Sequence, residues 1–116
     1  MPCFACLSVY QCCTHVNSWG WTELYIGCYD DYRVRNLDGE YTTSNLNTPY
    51  FCIEHCRKRG YVYAGPQASS YCFCGNSYEK YGSAPEAECY TQCPGDRSLM
   101  CGGVWRLSVY ATGIIV

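Results

Sequence analysis

Residues 51–75, with the sequence FCIEHCRKRGYVYAGPQASSYCFCG, decide the fold that we predict for this chain. The start of this stretch carries the signals of a helix over residues 49–59. The side-chain oxygen of Thr48 is suited to cap the first turn, and Pro49 suits a first helical position, where its missing amide hydrogen is not needed. Gly60 then ends the helix, because glycine readily adopts the left-handed conformation that follows many helices.

Four cysteines predict that two disulfides join this helix to a hairpin. Residues 61–75 are predicted to form two β-type arms, YVYAG and YCFCG, that are joined by a turn over Pro66 to Ser70. Four helical residues rise about 6 Å and two strand residues about 6.6 Å, so the cysteine spacings match. The first arm runs back along the helix and the second runs parallel to it. This path favours Cys52–Cys72 and Cys56–Cys74 over the crossed pairing.

The composition indicates one small domain from an oxidising compartment. The chain has 116 residues and twelve cysteines, a proportion typical of a disulfide scaffold. Its net charge of −2 argues against nucleic acid or an anionic membrane as the main partner. No stretch is long and apolar enough to span a membrane. Thirteen tyrosines and three tryptophans supply rings that suit either a core or a wet binding surface.

The remaining β-type segments predict a short antiparallel sheet. Residues 25–33 read as an edge or initial strand that ends in an acidic turn. We expect Asp30 and Asp31 in this turn to be solvated rather than to bind Ca²⁺, because no oxygen-rich loop surrounds them. Residues 34–47 are polar and are expected to form a connecting loop. Residues 102–111, GGVWRLSVYA, predict a final strand, in which Leu107 and Val109 alternate with Arg106, Ser108 and Tyr110.

A second helix is predicted to follow Ser83. Ser83 and Glu86 have the spacing of a capping box, and Pro94 with Gly95 ends the segment. Two further disulfides are predicted. Cys93–Cys101 closes a small loop, and Cys28–Cys89 joins the first strand to the second helix. The sequence thus predicts an α+β class: a small disulfide-rich domain in which bridges staple two helices to a short antiparallel sheet.

The ends of the chain are predicted to be separate from this domain. Residues 1–23 form a cysteine-rich arm, and residues 112–116 form a short apolar tail. Zinc binding by Cys3 and Cys6 is disfavoured, because no second CxxC stands at a zinc-site spacing; we expect no metal and no cofactor. The four cysteines of the arm are expected to form extra bridges, within the arm or to a neighbouring chain: Cys3, Cys6, Cys12 and Cys13.

The cysteine framework resembles that of the WSC domain, a module named for fungal cell-wall stress sensors. The matching motifs are YIGCYDD, a C-x3-C before GYVYAG, then YCFCGN, C-x3-C-x-G, and finally CGG-x-x-RLSVY. The resemblance covers residues 24–111 and all eight cysteines there. It implies the same four bridges: Cys28–Cys89, Cys52–Cys72, Cys56–Cys74 and Cys93–Cys101. It also implies a carbohydrate-binding module, often for β-glucans or other wall polysaccharides, although some members serve as protein-interaction or spacer modules.

Sugar binding has a chemical basis in the aromatic residues, because sugar rings stack on aromatic faces while their hydroxyls need polar neighbours. Alternation along the second arm places Tyr71 away from the helix, and Tyr61 and Tyr63 are predicted to share one face. If the second helix covers that face, these rings are core; Tyr78 and Tyr81 are expected to be more exposed. The predicted glycan site comprises Tyr61, Tyr63, Tyr71, Asn76, Tyr78, Tyr81, Trp105 and Arg106.

Catalysis is not expected from this inventory of residues. The acidic residues Glu79, Glu86 and Glu88 cluster at one helix start instead of facing each other across a cleft. We therefore predict a secreted or extracellular, non-catalytic module that binds a polysaccharide or glycan. The alternative is a structural or adhesive subunit of an extracellular assembly or filament, in which the arm or the tail docks on another copy, or a protein-interaction ectodomain.

Overall fold

The computed structural model of the protein describes residues 21–114. This part of the chain has an α+β fold with one α-helix, and no helix in it is long and apolar enough to cross a membrane. Two short 3-10 turns are present, at Trp21–Leu24 and Glu86–Glu88. In chain order the elements are β1 (Tyr25–Asp30), β2 (Glu40–Thr43), α1 (Pro49–Lys58), β3 (Tyr63–Gln67), β4 (Tyr71–Gly75), β5 (Gln92–Cys93), β6 (Asp96–Met100) and β7 (Arg106–Ala111).

The predicted first helix is confirmed as α1, one residue shorter than expected. Thr48 adopts an extended conformation, and its Oγ1 accepts a hydrogen bond of 2.9 Å from the backbone N–H of Phe51. Pro49 occupies the first helical position. The helix ends at Lys58, and Gly60 takes a left-handed φ of 86° that turns the chain towards the sheet.

Five strands form one antiparallel sheet in the order β1-β7-β3-β4-β2. Its two faces bury different clusters, because successive side chains of a strand point to opposite sides. Helix α1 covers one face, and the buried cluster there comprises Trp21, Leu24, Cys52, Ile53, Cys56, Ala64, Cys72, Cys74 and Tyr110. The opposite face carries the buried residues Leu37, Phe73, Leu107 and Val109.

The two bridges between α1 and β4 form as predicted from the spacing. Cys52 pairs with Cys72 and Cys56 with Cys74, and in both pairs the Cα atoms lie 5.4 Å apart. All four sulfur-bearing residues are fully buried. The other two bridges of the described residues are Cys28–Cys89 and Cys93–Cys101. The cysteines of the arm and the proposed extra bridges lie outside the described residues.

The predicted second helix is wrong; only the 3-10 turn at Glu86–Glu88 forms there. Ser83 does not cap it, because Ser83 instead forms a β-bridge with Tyr29. The backbone N–H of Ala84 donates to the carbonyl of Cys28 at 2.8 Å, which extends the chain along β1. The Glu86 carboxylate accepts a hydrogen bond from Tyr25 instead of closing a capping box. Tertiary pairing thus overrides the local helix signal.

Three other boundaries differ from the sequence prediction. The segment 34–47 contains strand β2, which pairs with β4 along its length. Strand β3 begins at Tyr63 and continues through Pro66 and Gln67, where a turn was expected. The small loop closed by Cys93 and Cys101 is a two-stranded hairpin of β5 and β6.

We expect the bridge between Cys52 and Cys72 to contribute strongly to stability. Replacing both cysteines by alanine should lower the free energy of unfolding by roughly 2–5 kcal/mol, because the unfolded chain is no longer constrained. These cysteines are 20 positions apart. The matched removal of Cys93–Cys101, which are 8 positions apart, should cost less. Urea unfolding measures both variants; an unchanged midpoint for the first would contradict this account.

Candidate functional site

An open aromatic groove lies on the sheet face opposite α1, where β3 and β4 meet the turn before β7. Its volume is about 210 Å³. Helix α1 is on the other side of the sheet, and the helix that was expected to cover this face does not form. The groove therefore brings aromatic rings together with the Arg35 guanidinium and the Gln67 amide at an accessible surface. The lining residues are Arg35, Gln67, Ala68, Tyr71, Phe73, Val104 and Trp105.

Strand pairing builds the aromatic floor of the groove. Tyr41 on β2 lies directly opposite Phe73 on β4, and their ring centroids are 5.3 Å apart at an interplanar angle of 29°. Tyr71 lies two residues before Phe73 on β4 and therefore on the same face. The centroids of these two rings are 5.9 Å apart, and the interplanar angle is 15°. Phe73 is buried beneath its neighbours, while Tyr41 and Tyr71 expose 61% and 39% of their surface. The exposed rings offer flat apolar faces to a ligand.

A tight turn places Trp105 on the other side of the groove. The backbone groups of Gly103 and Arg106 exchange hydrogen bonds of 3.0 and 3.1 Å across this turn. Trp105 has a left-handed φ of 56°, an unusual conformation for a residue with a side chain. Its carbonyl accepts a hydrogen bond of 3.1 Å from the backbone of Asp31, and its ring is 44% exposed. Strained backbone of this kind persists where the surroundings fix it, as at many functional sites.

The guanidinium group of Arg35 contacts two aromatic rings. Its central carbon is 4.7 Å from the ring centroid of Phe73 and 4.7 Å from that of Trp105. Both distances fall within the range of cation–π attraction. The side chain of Arg35 therefore connects the floor of the groove with the tryptophan turn.

A buried carboxylate fixes the position of Arg35. The Nη1 of Arg35 donates to Asp31 Oδ2 at 2.8 Å and to Gln67 Oε1 at 3.2 Å. Gln67 Nε2 also donates to Asp31 Oδ2, at 3.1 Å, and the backbone N–H of Asn36 donates to Asp31 Oδ1 at 2.8 Å. The expectation that Asp31 is a solvated turn residue is wrong, because Asp31 is fully buried and its charge is met by these donors.

Of the eight predicted site residues, the structure brings Tyr71 and Trp105 into this groove. Tyr63 and Tyr78 lie further along the same sheet face, where Tyr78 packs edge-on against Tyr63 and Tyr29. Burial raises the pKa of Tyr78, which agrees with this packing. Tyr61 does not share a face with Tyr63; Tyr61 packs against the cluster beneath α1, because β3 begins only after it.

The other three predicted residues lie outside the aromatic groove and make contacts within the protein. Two of them also line neighbouring depressions, Asn76 with Tyr63 and Tyr78, and Arg106 with Trp105. Asn76 accepts a hydrogen bond of 3.0 Å from the backbone of Val62. The Tyr81 hydroxyl donates to the carbonyl of Val34, and its ring packs edge-on against Tyr32. Arg106 pairs with Glu88 at 2.6 Å and with Asp30 at 3.2 Å, next to the tryptophan turn.

Three residues of the groove and its surroundings were not predicted from the sequence: Arg35, Gln67 and Tyr41. Gln67 was assigned to the predicted turn. In the structure β3 extends to Gln67, which lies directly opposite Tyr71 on β4. Tyr41 and Arg35 lie in a segment that was expected to be an irregular loop. No local signal connects Arg35 to Trp105, because their contact depends on the tertiary path of the chain.

A second groove lies on the outer surface of α1, with a volume of about 430 Å³. Its residues are Leu46, Thr48, Tyr50, Phe51, Glu54, His55 and Lys58. The His55 ring stacks on Phe51, and burial, together with the positive charge of Arg59, lowers the pKa of His55. This groove is larger, but it lacks the carboxylate network that fixes the polar groups of the aromatic groove.

Three buried sulfur atoms lie within 4.8 Å of one another, on Cys52, Cys56 and Cys72. They are engaged in the two bridges to β4, and disulfide sulfurs are not thiolate ligands. This cluster therefore belongs to the framework of the domain.

Fold and groove together define a disulfide-stapled α+β module with an open aromatic surface. The chain belongs to the WSC domain family, whose model matches residues 25–103. It is 41% identical over 92 residues to "Xylosyltransferase oxt" of Drosophila pseudoobscura pseudoobscura, covering 77% of this chain and 10% of that protein. It is 40% identical over 90 residues to "Kremen protein 1" of Homo sapiens, covering 75% of this chain and 19% of that protein. The matched region is thus a small part of each relative.

We expect Asp31 to stabilise the groove as well as to shape it. Asp31→Asn should lower the free energy of unfolding by about 1.5–3 kcal/mol, because an amide cannot accept all the hydrogen bonds of the buried carboxylate. Asp38→Asn is the matched control. Asp38 is exposed and lies 3.5 Å from Lys80, so its loss should cost less than about 1 kcal/mol. Equal effects in denaturant unfolding would show that Asp31 has no special role.

Proposed function

We propose that this domain is a non-catalytic, secreted or extracellular module that binds polysaccharide in the aromatic groove. The observation that carries the proposal is the pair of exposed rings, Tyr71 and Trp105, that line one groove together with the Arg35 guanidinium and the Gln67 amide. Sugar rings present C–H faces to aromatic rings and hydroxyls to polar groups. The groove supplies both kinds of partner in a fixed arrangement.

The surroundings of the groove favour a chain over a single sugar. A second depression, which shares Arg35 and Phe73, continues along Gly39 to Tyr41. A third depression, which shares Trp105, continues to Tyr32, Arg33 and Arg106. These open surfaces form a track that suits an extended polymer with several units in contact.

The placement of the acidic residues supports a non-catalytic role. Glu86 accepts the hydroxyl of Tyr25, and Glu88 pairs with Arg106. Neither of them lines the aromatic groove, and Asp31, which reaches its polar network, is buried and hydrogen-bonded. Asp38 and Glu40 line the adjoining depression and pair with Lys80 and Arg59, so they do not face each other across the groove as free carboxylates. Hydrolysis of a glycosidic bond requires two carboxyl groups on opposite sides of that bond.

We infer from the disulfides that this domain is located outside the cytosol. Eight cysteines of residues 21–114 are paired in four disulfides, a density that persists in oxidising compartments. The similarity to part of a xylosyltransferase does not extend to the rest of that enzyme. We therefore assign no transferase activity to this chain.

We expect Tyr71→Ala and Trp105→Ala each to weaken binding to insoluble polysaccharide by at least about tenfold, because each removes a stacking face at the centre of the site. Tyr90→Ala is the matched control, since Tyr90 is 62% exposed and lies outside the groove. Sedimentation with particles of glucan, chitin and xylan measures binding. Wild-type-like binding by the two groove variants would refute the assignment.

Tyr78→Ala separates packing from binding. This variant should lower the thermal midpoint, because Tyr78 packs on Tyr29 and Tyr63, but it should keep the polysaccharide affinity of the folded protein. If no polysaccharide is retained by the wild type, the exposed rings are better explained as a protein interface. The proposed self-assembly through the arm or tail rests on segments that lie largely outside the described residues.

A further inference from the structure

Arg35 keeps hydrogen-bond donors that the protein does not use. Its Nη1 is engaged by Asp31 and Gln67, whereas Nε and Nη2 have no acceptor among residues 21–114. The side chain is 35% exposed and lines two of the depressions of the track. A guanidinium group has five N–H donors in a rigid plane, so the free ones remain available to a ligand.

The arrangement of these donors determines which ligand groups fit them. The rings of Phe73 and Trp105 both lie against the guanidinium group, each with its centroid 4.7 Å from the central carbon. The donors without an acceptor in the described residues share one edge of the group, where Nε–H and Nη2–H point in parallel in its plane. Two adjacent oxygen atoms suit such a fork, either in a carboxylate or in a pair of neighbouring hydroxyls on a sugar ring.

The local charge favours hydroxyls over a carboxylate. The positive charge of Arg35 is already matched by the buried carboxylate of Asp31, 2.8 Å away. Two further acidic residues, Asp38 and Glu40, line the depression next to Arg35, and their exposed pairs with Lys80 and Arg59 offset their charge only in part. A second carboxylate on Arg35 would be repelled by these charges, whereas a pair of neutral hydroxyls would accept the two hydrogen bonds without that penalty.

We propose that Arg35 makes this site selective for uncharged polysaccharides whose internal units carry adjacent free hydroxyls, as in β-1,4-linked glucan or xylan. Internal units of β-1,3-linked glucan have no such pair, because the linkage occupies the hydroxyl between two others. This inference rests on the proposed function of the groove, and Arg35 acts in it as the residue that determines specificity.

Calorimetric titration with four soluble probes tests the proposal: cellohexaose, xylohexaose, laminarihexaose, and cellohexaose oxidised to carboxylates at its primary hydroxyls. The wild type should bind the two β-1,4-linked neutral probes about tenfold more tightly than laminarihexaose, since one hydrogen bond to a charged group contributes on that order. The oxidised probe should bind more weakly than its neutral parent.

Arg35→Lys keeps the charge but removes the fork, so it should reduce the preference for cellohexaose over laminarihexaose to less than about threefold. Arg97→Lys is the matched control, because Arg97 is exposed on β6 and lies outside the track; it should keep the full preference. Circular dichroism and the thermal midpoint establish that both variants are folded. A preference that survives Arg35→Lys would overturn the proposal.

The other outcomes separate this inference from the function on which it rests. Equal binding of β-1,3- and β-1,4-linked probes, lost in Trp105→Ala, would refute the selectivity and keep the polysaccharide site. Tighter binding of the oxidised probe would show that Arg35 binds an anion and would overturn the proposal. Absence of binding for all four probes would reject the proposed function and this inference together.

Discussion

The pair of disulfides that joins α1 to β4 is the constraint on which the rest of the structure depends. The bridges are separated by one helical turn on α1 and by two residues on β4, so they fix both the position and the direction of the helix on the sheet. They also assign Cys72 and Cys74 to the covered face. Because β-strand residues alternate, Tyr71 and Phe73 must then face the opposite side.

The opposite face is organised by a buried charge instead of by a helix. The segment after β1 folds over the sheet, and Leu37 packs against Leu107 at Gly65, where a Cβ atom would lie 2.6 Å from the Leu37 side chain. This packing carries Asp31 into the interior. Asp31 then holds Arg35 against Phe73 and Trp105. This sheet face therefore has one end packed around Leu37 and Leu107 and another end that forms the open aromatic groove.

The sequence was sufficient for the parts of the fold that depend on local signals. The cap at Thr48, the cysteine spacings and the alternation in β4 specify α1 and its bridges, and the structure agrees with them. The helix predicted from the capping box at Ser83 does not form, because pairing of this segment with β1 uses the same backbone groups. Arg35 was not predictable for a similar reason, since its partners come from three separate segments of the chain.

We propose that the face opposite α1, and not the helix, is the binding surface. The most direct test is a titration of isotopically labelled protein with cellohexaose, followed by NMR at the indole N–H of Trp105, the Nε–H of Arg35 and the backbone of Tyr71. We expect the largest shift changes at these three residues, and none at Tyr50 or His55 on α1. Changes concentrated on α1, or no saturable change at the groove, would contradict the account.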